Sequence, residues 1–174
     1  MLAGRKQTVV YVENLLTKLV SHQETVWSLP SDELTIEEVL TQIREGKYAS
    51  EVLHLRELIA RGERDQYGVD KKSLSGVTFS GTFNGRRQIK LLKVYNNILV
   101  LDIDHLSIDD LMRARKIFQE DNHVFACWRS PSNEGIKGLV GLAFNEELDK
   151  YDVGARHHAA FDFLSVYFKQ TYNL

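Results

Sequence analysis

Asp102 and Asp104 stand two positions apart at the end of the apolar run Ile98-Leu99-Val100-Leu101. In a strand, residues i and i+2 share a face, with Cα atoms roughly 6.5–7 Å apart, so the two carboxylates converge on one point. Like charges held that close repel, and a divalent ion that prefers hard oxygen ligands is the natural compensator. Mg²⁺ or Mn²⁺ needs only one or two protein carboxylates when water and phosphate oxygens complete its shell. The same string also fits a plainer role, one Asp capping the next helix and the other facing solvent. His105 points away from Asp104 if the strand persists and reads as a structural or surface histidine; Leu106 reads as core.

A second set lies in Ser130-Pro131-Ser132-Asn133-Glu134-Gly135-Ile136-Lys137. The hydroxyls of Ser130 and Ser132, the open backbone at Gly135 and the ammonium of Lys137 would together form a small phosphate cradle. The glycine spacing, Lys-Ser/Thr pair and following helix of a Walker loop are missing. An ordinary hairpin connection with an exposed lysine fits equally well. Arg86 and Arg87 follow the Asn84-Gly85 turn close to Phe83, a grouping suited to phosphate contact and ring stacking on a single strand. Solvated hairpin charges explain the two arginines as well. His157 and His158 are adjacent on a helix, so at most one is expected to reach a site. Cys127 sits in a strand pattern with no evident base and reads as a small buried hydrophobe.

The elements that must position these groups are written in the surrounding pattern. A short strand is expected at residues 8–11, running into a helix or turn. Thr35 and Glu38 form a capping-box pattern ahead of the stripe Ile36, Val39, Leu40 and Ile43, and a second helix through Val52, Leu53, Leu55, Leu58 and Ile59 closes at Gly62. Residues 77–83 and 88–94 flank Asn84-Gly85 as a hairpin. The run at 98–101 has no polar face, as expected of a strand covered on both sides. Ser107 and Asp110 form another capping box at the start of a helix, strands follow at 124–128 and 136–144, and a helix from about Val153 continues nearly to Leu174. These alternations predict an α+β fold with a mainly antiparallel sheet backed by helices. The 174 residues read as one domain, 1–70 a mostly helical lead-in and 71–174 the sheet-containing core, with the last helix suggesting the N-terminal part of a longer protein.

Composition narrows the class further. A formal charge of -2 removes any bulk electrostatic case for nucleic-acid binding while leaving a local basic surface open. The single cysteine allows no internal disulfide, and neither a signal peptide nor an apolar run long enough to span a bilayer is evident, so a cytoplasmic protein without a membrane partner is expected.

Three stretches carry a resemblance: residues 72–83, residues 99–106 around Asp102 and Asp104, and residues 125–140 around Ser130 to Lys137. In order and content they resemble the VirE N-terminal domain family of bacterial and mobile-element proteins, common in Bacteroides-type bacteria and phage. That family is in turn similar to the archaeo-eukaryotic primase and primase-polymerase catalytic domain. The resemblance implies a primase-polymerase-like fold, metal binding by Asp102 and Asp104 as paired catalytic aspartates, and nucleotide-phosphate contact from Ser130, Ser132, Gly135 and Lys137. In primases the last of these positions is usually histidine. Lysine holds phosphate as a point charge but does not replace an imidazole in proton transfer. The third acidic ligand of the family is expected downstream of Leu174. On this reading the domain takes part in DNA replication as a Mg²⁺- or Mn²⁺-dependent nucleotidyl transferase acting with a nucleoside triphosphate and single-stranded nucleic acid. The competing expectation is a non-catalytic nucleotide- or nucleic-acid-binding or regulatory module attached to a helicase-like domain.

Overall fold

A computed structural model describes residues 14–144 and 152–174, and in it the wholly apolar run at 98–101 belongs to a strand packed on both faces. That strand, β6 (Ile98–Ile103), follows β1 (Leu19–Gln23), β2 (Asp32–Thr35), β3 (Gly76–Thr78), β4 (Gly81–Phe83) and β5 (Leu92–Tyr95); β7 (Val124–Arg129) and β8 (Ile136–Gly141) come after it. The helices are α1 (Ile36–Arg44), α2 (Ala49–Ala60), α3 (Arg64–Asp70), α4 (Ile108–Glu120) and α5 (Val153–Tyr172). Three small antiparallel sheets result, with orders β2-β1-β3, β4-β5 and β6-β8-β7. The expected α+β architecture is therefore present, with the antiparallel strands divided among three sheets.

Strand pleating divides the core. Leu99 and Leu101 of β6, with Ile136 and Val140 of β8, pack against Leu111, Ala114 and Phe118 of α4 and Leu164 and Phe168 of α5. Ile98 of β6 and Leu139 of β8 face the other way, into a cluster with Val20, Ile36, Val39 and Phe79. Each large side chain so buried contributes about 1.5–3 kcal/mol relative to exposure, which fixes which way the strand faces. Gly138 serves the first layer: a Cβ there would lie 2.8 Å from the Phe118 ring, so the missing side chain lets α4 settle on the sheet.

Local signals hold where side chains satisfy backbone donors. Thr35 Oγ1 accepts from Glu38 N–H (3.1 Å) and Glu38 Oε2 accepts from Thr35 N–H (2.7 Å), the full capping box of α1. At the start of α4 half of the expected box forms: Ser107 Oγ accepts from Asp110 N–H (3.2 Å), while Asp110 Oδ2 accepts from the Ser107 hydroxyl (2.6 Å) and not from its N–H.

Elsewhere tertiary contacts override the pattern. The single strand expected at 77–83 divides at Phe79-Ser80: β3 pairs with β1 while β4 pairs with β5. Phe79 is buried against Trp128, ring centroids 5.6 Å apart, which turns the chain between two sheets. At Gly81 a Cβ would stand 2.2 Å from the Val94 carbonyl oxygen, so only glycine lets β5 approach. The strand expected from 88 begins as a 3₁₀ turn, Ile89–Leu91. β1 and β2 were not signalled, because β1 buries the polar Ser21 and Gln23 and β2 reads Asp-Glu-Leu-Thr. The strand expected at 8–11 lies outside the described residues.

Candidate functional site

β6 and β8 pair in a register that sets Asp102 opposite Lys137, with Trp128 of β7 opposite Lys137 on its other side. Directly opposed residues share a sheet face, so acid, cation and indole project together. This is the face of Ile98 and Val100, at the end where its apolar cover runs out: Asp102 and Lys137 keep 43% and 26% of their side chains exposed. Lys137 Nζ donates to Asp102 Oδ2. The lysine expected to meet phosphate is thus engaged with the first aspartate.

β6 ends at Ile103, so Asp104 lies just past the strand and not on its continuous face. His105 takes φ +61°, which turns the chain and removes the simple strand alternation expected for it. Asp104 is exposed, and among the described residues its carboxylate has no hydrogen-bond or ion-pair partner. Its position is set by Gly135: a Cβ at that residue would lie 2.6 Å from Asp104 Oδ1 and 2.6 Å from the Ile103 carbonyl oxygen. Gly135 is therefore required for close approach of the two segments.

The 130–135 connection joins β7 to β8 and is held against residues 104–106. Leu106 N–H donates to the Glu134 carbonyl (2.8 Å), and Ser130 N–H donates to the Gly135 carbonyl (2.9 Å). Ser130 is buried, its hydroxyl 2.9 Å from that of Ser132, which also accepts from Glu134 N–H (3.2 Å). Arg129 Nη1 donates to Asn133 Oδ1 (3.0 Å), supporting Asn133 at φ +62°. Arg64 at the start of α3 clasps Glu134 through two bonds of 3.0 and 2.7 Å. Those hydrogen bonds hold the Glu134 carboxyl below its ordinary value, with the charges of Arg64 and His105 adding to the effect. Sequence spacing carries no signal for this 70-residue contact.

Arg86 and Arg87 are both exposed, and Arg87 lines a cleft of about 460 Å³ whose walls include neither Lys137 nor Arg86. Val77 and Phe79, Val100 on β6, and His157 and His158 at the start of α5 also line it. Both histidines border this cleft, His157 half-buried and His158 exposed. Tyr95 Oη lies 2.9 Å from His157 Nδ1. Burial lowers the pKa of His157, favouring the neutral ring, and raises that of Tyr95 to about 12. Burial also raises the pKa of the half-buried Cys127 thiol, only partly offset by the charge of Arg115, in keeping with a packing role.

Asp102 beside the Lys137 ammonium, with the exposed Asp104 two residues on, offers oxygen for a divalent ion and a cation for phosphate. Among the described residues no group of three His, Cys, Asp or Glu side chains is gathered for a metal, so protein donors would fill only part of a coordination shell. No helix among the described residues is long and apolar enough to cross a membrane. Comparison with curated proteins and with solved structures finds no match. A family model described as BT4734-like, N-terminal domain matches residues 69–173, which include β3 to β8, α4, α5 and the residues Asp102, Asp104, Ser130, Ser132, Gly135 and Lys137.

Proposed function

The chain belongs to that family, and from this premise and the site geometry we propose a metal-dependent nucleotide- or nucleic-acid-processing domain that resembles a primase-polymerase core. The observation that carries the proposal is the cross-strand pairing of Asp102 with Lys137, two residues before an exposed Asp104 that has no partner among the described residues. Asp102 and Asp104 would hold Mg²⁺ or Mn²⁺, which when bound supplies charge neutralisation at a triphosphate. Lys137 would bind a phosphate oxygen, and Gly135 keeps the Asp104 backbone close to β8. Arg87, facing the cleft beside β6, suits the backbone of a single strand. The likeness to VirE N-terminal domains supports the same roles.

A second reading, a non-catalytic nucleotide- or nucleic-acid-binding or regulatory module for a helicase-like domain, is favoured by the count of donors. Two carboxylates without a third among the described residues would hold one ion whose shell phosphate and water oxygens complete, which suffices for binding and does not require turnover. Incubation with a primed single strand, labelled nucleoside triphosphate and Mn²⁺ separates the two. Incorporation that is lost in Asp102→Asn supports nucleotidyl transfer. Metal-dependent nucleotide binding without incorporation supports the module.

A further inference from the structure

The Asp102–Lys137 pair has a consequence for the order in which ligands enter. Lys137 Nζ occupies the Asp102 oxygen that a cation would need, and Asp102 occupies the ammonium that a phosphate would need. The two residues are directly opposed on adjacent strands, so their backbones do not separate without breaking the β6–β8 ladder. Any exchange of partners must come from the lysine side chain, whose flexible four-carbon stem allows it to swing.

Resting on the reading above, we infer that this ion pair is a latch that admits a metal–polyphosphate chelate in preference to free metal or free polyphosphate. A divalent ion arriving alone meets an ammonium already seated on Asp102 and must displace it into solvent. A polyphosphate arriving alone must draw Lys137 from Asp102 and leave that carboxylate without the counter-charge it had. A chelate offers both replacements together: Lys137 exchanges a carboxylate for a phosphate oxygen, and Asp102 exchanges an ammonium for the ion. Each partner keeps a counter-charge throughout. The two ligands are therefore positively coupled, and by linkage each raises the affinity of the other by the same factor.

Removing the ammonium opens the latch from one side. In Lys137→Met, Mn²⁺ alone binds Asp102 and Asp104 more tightly, while the gain on adding inorganic triphosphate shrinks; Lys137→Arg keeps a cation and retains wild-type behaviour. The experiment titrates Mn²⁺ into the full chain, following free Mn²⁺ by electron paramagnetic resonance, with and without inorganic triphosphate. Wild type, Lys137→Met, Lys137→Arg and Asp102→Asn are compared. The latch predicts Mn²⁺ affinity at least about 5-fold higher in Lys137→Met than in wild type, within the usual range of coupling between sites. Equal or weaker Mn²⁺ binding in Lys137→Met, with binding still lost in Asp102→Asn, overturns the latch and leaves the metal site standing. Absence of Mn²⁺ binding in wild type and Lys137→Met alike overturns both.

Discussion

Gly135→Ala tests the packing that sets Asp104 in place. The residue lies outside the left-handed region, so alanine's backbone preference is not at issue and the cost is steric. The new Cβ would meet two oxygens, each at 2.6 Å: Asp104 Oδ1 and the carbonyl of Ile103. The first belongs to an exposed side chain that swings aside cheaply. The second is backbone at the end of β6, tied to Ile136 by the strand register, so the ladder itself must shift. Overpacking of that kind costs about 1–3 kcal/mol. For a chain of this size each kcal/mol moves Tm by about 2–4 °C, which gives a fall of about 2–12 °C by circular dichroism melting. Gly154→Ala is the internal control, because a Cβ there meets nothing within 4 Å and the position lies in α5. Gly154 is the second residue of α5, where alanine's helix preference is expected to keep or slightly raise the melting point. A Gly135→Ala melting point equal to or above wild type would refute the close approach.

Asp121 closes α4 from a buried position, accepting from Tyr167 (2.7 Å), Tyr172 (2.8 Å) and the backbone N–H of His123 (2.8 Å). Burial pushes its carboxyl upward, but these donors outweigh burial and hold it below the ordinary value. Its contribution to stability is therefore full above the unfolded pKa, about 3.9, and is lost as pH falls through the folded value; Asp121→Asn should cost about 1–3 kcal/mol at neutral pH and flatten the acid limb of a melting-against-pH curve. Glu134→Gln frees Arg64 from the 130–135 connection, so hydrogen exchange at the Leu106 amide should quicken, and more so at low salt, where the wild-type clasp is strongest. Arg87→Ala should lower the salt dependence of single-strand binding by about 0.7 in the log–log slope, one phosphate contact, whereas Arg86→Ala, outside the cleft, should change it less.

How far the sequence could be read depended on whether local patterning or distant contact set each feature. The capping residues Thr35 and Ser107 specify helix starts through donors three residues away, and the polar-free run at 98–101 demands cover on both faces. Those features were legible. The division of 77–83 was not, since it depends on Phe79 meeting Trp128 and on Gly81 meeting Val94, contacts with no local signature. At the site, Asp102, Gly135 and Lys137 were visible as candidates by type, and only the β6–β8 register reveals that Asp102 and Lys137 face each other. The placement of Asp104 beyond the strand follows from the turn at His105, a left-handed residue that strand alternation does not anticipate. The cleft gathers Arg87 with both His157 and His158 through packing of α5 beside β6, again a product of tertiary arrangement.

The central claim is that Asp102 and Asp104 together create a cation-dependent nucleotide site. Calorimetric titration of a nucleoside triphosphate into wild type, Asp102→Asn and Asp104→Asn, each with and without Mn²⁺, tests it most directly. The account predicts that Mn²⁺ strengthens nucleotide binding in wild type and that either substitution abolishes the gain while the fold, followed by circular dichroism, is retained. Nucleotide binding with the same Mn²⁺ dependence in all three proteins, or none in wild type, would contradict it.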